Sequence, residues 1–153
     1  MDVRVKLALE CVDEADPIPA RCVSPQTSLR EAFAVLEENH GGALVCHERM
    51  LVGIFTERDA LRALAHETPL DTPIGTLMTV SPVTARTSTS IAAAVRKMAV
   101  GGYRRMPILD NDNHPVGVVT TSGLVHYLVD QFARTIYNLP PTSTAAAPEQ
   151  EGA

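Results

Sequence analysis

The chain has 153 residues, of which 45% are apolar and 20% are charged, and its formal net charge is −5. This composition is that of a globular protein, and the length indicates one compact domain. The negative net charge gives no electrostatic footprint for nucleic acid, and no apolar run is long enough to span a membrane. Residues 1–6 lack the layout of a signal peptide, so we expect a cytoplasmic location.

The first predicted helix begins after Ser28. Four apolar residues recur at the spacing of one face of an amphipathic helix, namely Leu29, Ala32, Phe33 and Leu36. Glu31 stands three residues after Ser28, which is the pattern of a capping box. The pair Gly41-Gly42 predicts the end of this helix, because glycine adopts the left-handed conformation of a C-terminal cap without strain.

A hairpin and another helix follow. Residues 43–46 are a short apolar run that predicts a buried strand, and residues 47–49 predict a polar turn. A second strand at 52–56 leads into a helix predicted from about Glu57 to Ala65. With the segment that precedes Ser28, this part of the chain has the order strand, helix, strand, strand, helix.

The same order of elements then recurs. Gly53 and Thr56 reappear 64 residues later as Gly117 and Thr120. Upstream, the apolar stripe is repeated by Ile91, Ala94, Val95 and Met98, and the final helix is predicted from about Ser122 to Ala133. One such unit cannot bury both faces of its sheet, so the two copies should pack together.

The motif Gly53-Ile54-Phe55-Thr56-Glu57-Arg58-Asp59, with its upstream helix and strand, resembles the cystathionine-beta-synthase (CBS) domain. Two copies in matching register resemble a tandem CBS pair, or Bateman module. The resemblance implies a mixed α+β or α/β fold, in which the two repeats pack with pseudo-twofold symmetry into one globular module.

We expect five segments along the chain. They are an N-terminal segment at 1–17, a first CBS repeat at 18–66, a linker at 67–81, a second CBS repeat at 82–139, and a disordered tail at 140–153. The tail is predicted because it is rich in Pro, Ala, Thr and Glu and lacks apolar periodicity.

Asp59 is the first candidate for a functional residue. The predicted junction of strand and helix at Thr56 directs backbone N–H groups to one point, where the helix dipole favours anions. Asp59 presents a carboxylate there that could accept two hydrogen bonds from a ribose diol. An Asp in a first helical turn is also favoured by capping alone, and the residues themselves leave both interpretations open.

The resemblance to CBS pairs implies a nucleotide site around this carboxylate. In the family this position binds ribose, basic residues before the second strand of the other repeat reach the phosphates, and the first strand of that repeat contacts adenine. Residue by residue, the implied site consists of Ile54, Thr56, Arg58, Asp59, Pro82, Val83, Thr84, Arg104 and Arg105.

The pseudo-symmetric position lacks these groups. Gly123 replaces the ribose carboxylate, and Gly41 and Gly42 replace the arginine pair. We therefore expect one competent site per chain, although Arg21 could bind a different anion.

The sequence favours a regulatory module that binds AMP, ADP or ATP and signals to an unknown partner. A ligand-free dimerising scaffold and an S-adenosylmethionine-binding module are the alternatives. The resemblance also implies a homodimer that pairs exposed helix faces around Phe33, Val95, Leu61 and Val125. Catalytic residues, a metal site and a required cofactor are not expected, because catalytic motifs and ligand spacings are missing. The three cysteines, an odd number, should be small buried side chains in a reducing compartment.

Overall fold

A computed structural model describes residues 2–137. The tail predicted at 140–153 lies outside the described residues. Five helices and eight strands follow one another in the described part: α1 Val3–Leu9, β1 Ile18–Pro19, β2 Cys22–Val23, α2 Leu29–Glu38, β3 Gly42–His47, β4 Met50–Thr56, α3 Glu57–Ala65, β5 Thr79–Val80, β6 Ala85–Arg86, α4 Ile91–Gly101, β7 Arg105–Leu109, β8 Pro115–Thr120 and α5 Thr121–Tyr137. Short 3-10 helices lie at Val12–Glu14 and Ile74–Thr76.

The strands form two four-stranded sheets, one for each repeat. Their orders are β2-β3-β4-β5 and β1-β8-β7-β6. In both sheets the two hairpin strands are antiparallel and the short first strand of the repeat is parallel to its neighbour. The predicted hairpins and the mixed α+β fold are thereby confirmed.

One outer strand of each sheet comes from the segment that precedes the other repeat. β1, which leads into the first repeat, pairs with β8, whereas β5, which leads into the second, pairs with β4. The two repeats are therefore tied together by exchanged backbone pairing.

Each 3-10 helix also packs on the repeat that it does not precede. The N–H of Val12 donates to the Thr89 carbonyl at 2.9 Å, and that of Ile74 donates to the Thr27 carbonyl at 2.8 Å. Both Val12 and Ile74 are fully buried, each in the core of the repeat that it does not precede. The segment before the first repeat thus occupies the same place as the linker before the second.

Three apolar clusters hold the module together. One lies in each repeat, between the sheet and its helices, with Phe55 fully buried in the first repeat and Met106 in the second. The third cluster joins the two sheets through Leu44, Ile54 and Val118. Burial of these side chains accounts for the packing of the two repeats as one body.

Several predicted details differ in the structure. α2 ends at Glu38, before the glycine pair, because the chain already turns at His40, where φ is +58°. Residues 82–84 precede strand β6 and are not part of it, since Pro82 has no N–H to donate and Ser81 turns the chain with φ of +48°. α5 extends beyond the predicted end, to Tyr137, because no proline or glycine interrupts residues 124–137.

The predicted N-terminal serine cap of α2 is found, and α4 begins with the same kind of cap. The Ser28 and Ser90 side chains accept hydrogen bonds at 3.1 Å from the N–H groups of Glu31 and Ala93. Gly102 ends α4 in the left-handed conformation, with φ of +71°.

The predicted burial of the three cysteines was wrong. Cys22 is exposed, and Cys11 and Cys46 are half-buried. Cys22 lies in the short strand β2 at the edge of its sheet, where side chains meet solvent. The apolar character of cysteine alone therefore did not predict whether its side chain is buried.

Candidate functional site

The candidate site begins where strand β4 meets helix α3. Thr56 ends the strand, and Asp59 is the third residue of the helix. Asp59 Oδ2 accepts hydrogen bonds from the Thr56 N–H at 2.9 Å and from Thr56 Oγ1 at 3.1 Å. This is capping geometry, and it fixes the carboxylate at the positive end of the helix dipole.

The other oxygen of the carboxylate faces the linker strand. Thr79 Oγ1 donates to Asp59 Oδ1 at 3.2 Å, and Arg62 Nη1 lies 3.9 Å from the same oxygen. Asp59 is only 4% exposed, whereas Thr79 is exposed. A diol would therefore reach this carboxylate by displacing the Thr79 hydroxyl.

Thr79 was not among the residues that the sequence singled out. It lies directly opposite Ile54 in the pairing of β4 with β5, so both side chains point to the same face. This pairing brings a hydroxyl and an apolar side chain together beside the carboxylate. The sequence signal that could have found Thr79 is its place in the linker. Thr79 stands before the second repeat as Ile18 stands before the first.

The segment predicted to face adenine continues from β5. Pro82, Val83 and Thr84 are half-buried and connect this strand to β6. Val83 packs against the core of the second repeat, and the Thr84 carbonyl accepts from Lys97 Nζ at 3.2 Å. These three residues therefore lie just past the strand that contacts Asp59.

Arg105 crosses from the second repeat to the first. It begins strand β7, and its guanidinium donates to the His40 carbonyl. A Cβ atom added to Gly42 would lie 2.7 Å from Arg105 Cδ, so the arginine stem fills the space that a side chain at Gly42 would take. Because Gly42 pairs with Thr56, this contact brings Arg105 beside the start of α3.

Arg58 and Arg104 are exposed. Among residues 2–137, neither guanidinium makes a hydrogen bond or an ion pair. The Arg104 backbone carbonyl accepts from the Thr121 N–H at 3.0 Å, which anchors its backbone at the start of α5. Both side chains are thus free to reach a ligand.

An open cleft of about 560 Å³ adjoins Glu57, the first residue of α3. Its lining residues are Leu36, Glu37, His40, Gly41 and Glu57. Two carboxylates in this lining make it unfavourable for phosphate. Asp59 and Thr79 are not among its lining residues.

The pseudo-symmetric position lacks counterparts of both the Asp59 carboxylate and the Thr79 hydroxyl. Thr120 Oγ1 accepts from the Gly123 N–H at 3.0 Å, which repeats the cap without a carboxylate. Ile18 pairs with Val118 there, as Thr79 pairs with Ile54 in the other sheet. Arg21, the one cation expected near it, lies 2.8 Å from Glu38 in an ion pair.

One cluster of potential metal ligands was not predicted. Asp110, Asp112 and His114 place their ligand atoms within 4.8 Å of one another in the turn between β7 and β8. Hydrogen bonds within the turn account for this cluster. The His114 N–H, followed by that of Asp112, donates to Asp110 Oδ1 and holds the pKa of that carboxyl below its usual value.

The fold and the site together define a module of two intertwined α+β repeats. The family model for the CBS domain matches this chain twice, at residues 12–66 and 74–130. The chain belongs to the CBS-domain family.

A curated relative supports the assignment. The CBS domain-containing protein YhcV of Bacillus subtilis is 34% identical over 104 residues, which are 67% of this chain and 74% of that protein. For two further curated relatives the matched part is 66% and 19% of their length.

Solved structures share the fold. CBSX2 of Arabidopsis thaliana, solved in complex with AMP, is 27% identical, with a TM-score of 0.69 over 80% of this chain and 98% of that one. A CBS domain pair of protein MJ0100, solved with 5′-methylthioadenosine and S-adenosylmethionine, has a TM-score of 0.69 at 24% identity, covering 76% of this chain and 97% of that one. Within residues 2–137, none of the helices is both long and apolar enough to cross a membrane.

Proposed function

We propose that this chain is a non-catalytic regulatory module that binds one adenine nucleotide, AMP, ADP or ATP, at the junction of β4 and α3. The observation that carries the proposal is the buried Asp59 carboxylate, held by Thr56 and joined to the exposed Thr79 of the linker strand. A carboxylate placed at a helix N-terminus beside an apolar strand suits a ribose diol with its base. The AMP complex of CBSX2 supports the same class of ligand.

We assign each part of the nucleotide to a group of residues in this proposal. Asp59 and Thr79 hold the ribose, and Ile54 with Pro82, Val83 and Thr84 contacts adenine. The phosphates extend toward Arg58, Arg104 and Arg105, whose planar guanidinium groups grip phosphate oxygens in pairs. Binding would replace the hydroxyl of Thr79 at Asp59, so occupancy alters how the linker strand contacts the first repeat. That change is the signal that a partner could read.

S-adenosylmethionine is the second candidate ligand. The MJ0100 complex motivates it as a ligand of this fold. The arginines favour a phosphate-bearing ligand, because S-adenosylmethionine has no phosphate to pair with them. A scaffold that binds no ligand is the third candidate.

A calorimetric titration tests the function and its stoichiometry. We expect AMP, ADP or ATP to bind nucleotide-free protein with one site per chain, and S-adenosylmethionine to bind more weakly. The Gly123 position should stay empty, and Gly123→Asp should add no second strong site, because Gly41 and Gly42 stand where the other copy has Arg104 and Arg105. Two equivalent sites per chain would contradict the asymmetry, and no heat with any of the four ligands would favour the scaffold.

The arginine pair should make nucleotide binding depend on charge. We expect Arg104→Gln with Arg105→Gln to weaken ATP binding by about tenfold or more while adenosine binding changes little. The reason is that ATP has phosphates to contact the arginines, whereas adenosine has none. Raising the salt concentration should weaken ATP binding in the wild type more than in this variant. Arg4→Gln with Arg96→Gln, an equal loss of two charges at exposed positions of α1 and α4, is the matched control. Equal losses for ATP and adenosine would remove the arginines from phosphate binding.

We also propose a homodimer. Of the helix positions named from the sequence, Leu61 and Val125 are exposed, whereas Phe33 and Val95 are partly buried within the cores. More than half of each side chain is exposed at five apolar positions of α3 and α5: Leu61, Leu64, Val125, Val129 and Phe132. Apolar helix faces of this kind are typical of association surfaces.

Light scattering at micromolar protein tests the dimer. We expect a dimeric mass for the wild type and a monomeric mass for Val129→Glu, because the charge would be buried without a partner. Val100→Glu places the same charge on α4, where the side chain is 85% exposed, and should leave the dimer intact. A monomeric wild type would refute the proposal.

A further inference from the structure

Two cysteines meet between the first two strands of the first repeat. Cys46 Sγ lies 2.6 Å from Cys22 Sγ. Cys22 pairs with Leu44 in the parallel contact of β2 with β3, and Cys46 is two residues beyond Leu44. Because side chains alternate along a strand, the two thiols share one face. An S–S bond is about 2.05 Å long, so little movement separates this contact from a bond.

The thiols are open to small molecules. Cys22 is exposed, and both cysteines line an open cavity of about 380 Å³. Its lining residues are Cys22, Val23, Ser24, Cys46, Arg49, His114 and Pro115. The cavity therefore gives a solute access to the pair, next to the cationic side chain of Arg49.

The contact makes the two thiols chemically different. The hydrogen bond from Cys46 lowers the pKa of the Cys22 thiol, against the opposing effect of burial. The same hydrogen bond, together with burial and the nearby charge of Cys22, raises the pKa of Cys46. The thiolate is the reactive form, so Cys22 is the better nucleophile of the two.

We propose that Cys22 and Cys46 are a modification site, a dithiol that a peroxide oxidises to a disulfide within the chain. The Cys22 thiolate attacks one peroxide oxygen, the O–O bond breaks, and Cys22 becomes a sulfenic acid while the other oxygen leaves as hydroxide and takes up a proton. Cys46 sulfur then attacks Cys22 sulfur, the S–O bond breaks, and the hydroxyl leaves with the Cys46 proton as water. The two thiols lose two electrons in total, and hydrogen peroxide becomes two water molecules.

The bond would act on the junction between the repeats. Cys46 packs against the cluster of Leu44, Ile54 and Val118 that joins the two sheets. It also follows a shift in the pairing of β3 with β4, between Val45 and Cys46. A disulfide would fix β2 to β3 at the edge of this cluster, whether or not a nucleotide binds elsewhere.

Peptide mapping of the full chain tests the site directly. Reduced, desalted protein is treated with one equivalent of hydrogen peroxide, and its intact mass should fall by two hydrogens. Trypsin without reductant should then release the peptide 22–30 linked to the peptide 31–49, and dithiothreitol should separate them. Cys11, on the peptide 7–21, is the internal control and should stay a free thiol. Three free thiols after treatment, or a link that includes Cys11, would overturn the proposal.

Single variants separate the two roles. In Cys46→Ser, Cys22 should stop at the sulfenic acid, which dimedone traps. Cys22→Ser should react with peroxide several-fold more slowly than Cys46→Ser, because burial still raises the pKa of the Cys46 thiol, whereas the serine hydroxyl in Cys46→Ser can still donate to the exposed Cys22 sulfur. Equal rates in the two variants would overturn the assignment of Cys22 as the nucleophile.

Discussion

Replacing Asp59 with alanine should weaken adenine-nucleotide binding by roughly 30- to 1000-fold. The diol loses its carboxylate acceptor, and losing a charge-assisted pair of hydrogen bonds costs on the order of 2–4 kcal/mol. Asp59→Asn should lie between the wild type and alanine, since the amide keeps one acceptor oxygen but no charge. Calorimetry with the preferred nucleotide measures all three affinities.

The same substitution also removes a helix cap. Asp59 accepts from the Thr56 N–H, so Asp59→Ala should lower the free energy of unfolding by about 1 kcal/mol. Ser90→Ala removes the cap of α4, where Ser90 accepts from the Ala93 N–H, and should cost similar stability without changing nucleotide affinity. If both variants lose affinity equally, the effect comes from stability; if Asp59→Ala binds as tightly as the wild type, Asp59 is only a capping residue.

Replacing Ile74 with alanine should lower the free energy of unfolding by about 2–5 kcal/mol. Ile74 belongs to the linker, yet its side chain is fully buried in the core of the first repeat, with Leu29 and Phe55. Truncation removes buried methyl groups and leaves a cavity beside two other large side chains. Urea unfolding followed by circular dichroism measures the change.

Val100→Ala is the control for this loss of apolar atoms. Val100 is 85% exposed, so the substitution should change stability by less than about 0.5 kcal/mol. A similarly small effect at Ile74 would mean that the linker does not stabilise the repeat on which it packs.

The repeat itself was predictable because local sequence patterns specify its elements. The stripes around Leu29 and Ile91, the cap at Ser28, and the recurrence of Gly53 at Gly117 predicted the helices and hairpins. Each of these signals depends on residues within about one turn of helix or one hairpin. The structure confirms the elements that they predict.

The exchange of segments between repeats was not predictable in the same way. Val12-Asp13-Glu14 and Ile74-Gly75-Thr76 occupy equivalent places but share only an apolar first residue. The exchanged strands β1 and β5 are two residues long, too short for any periodicity. Their pairing is fixed by contacts with the distant hairpins.

The candidate site was likewise predictable from the sequence only in part. The sequence by itself determined that Asp59 stands in a first helical turn and that Gly123 replaces it in the second copy, because the register of the repeat is local information. Only the tertiary structure joined Thr79 to Asp59 and Cys22 to Cys46, since the two members of each pair lie on different helices or strands. The physical reason is that sheet pairing places distant residues side by side, and no spacing along the chain specifies which strands will pair.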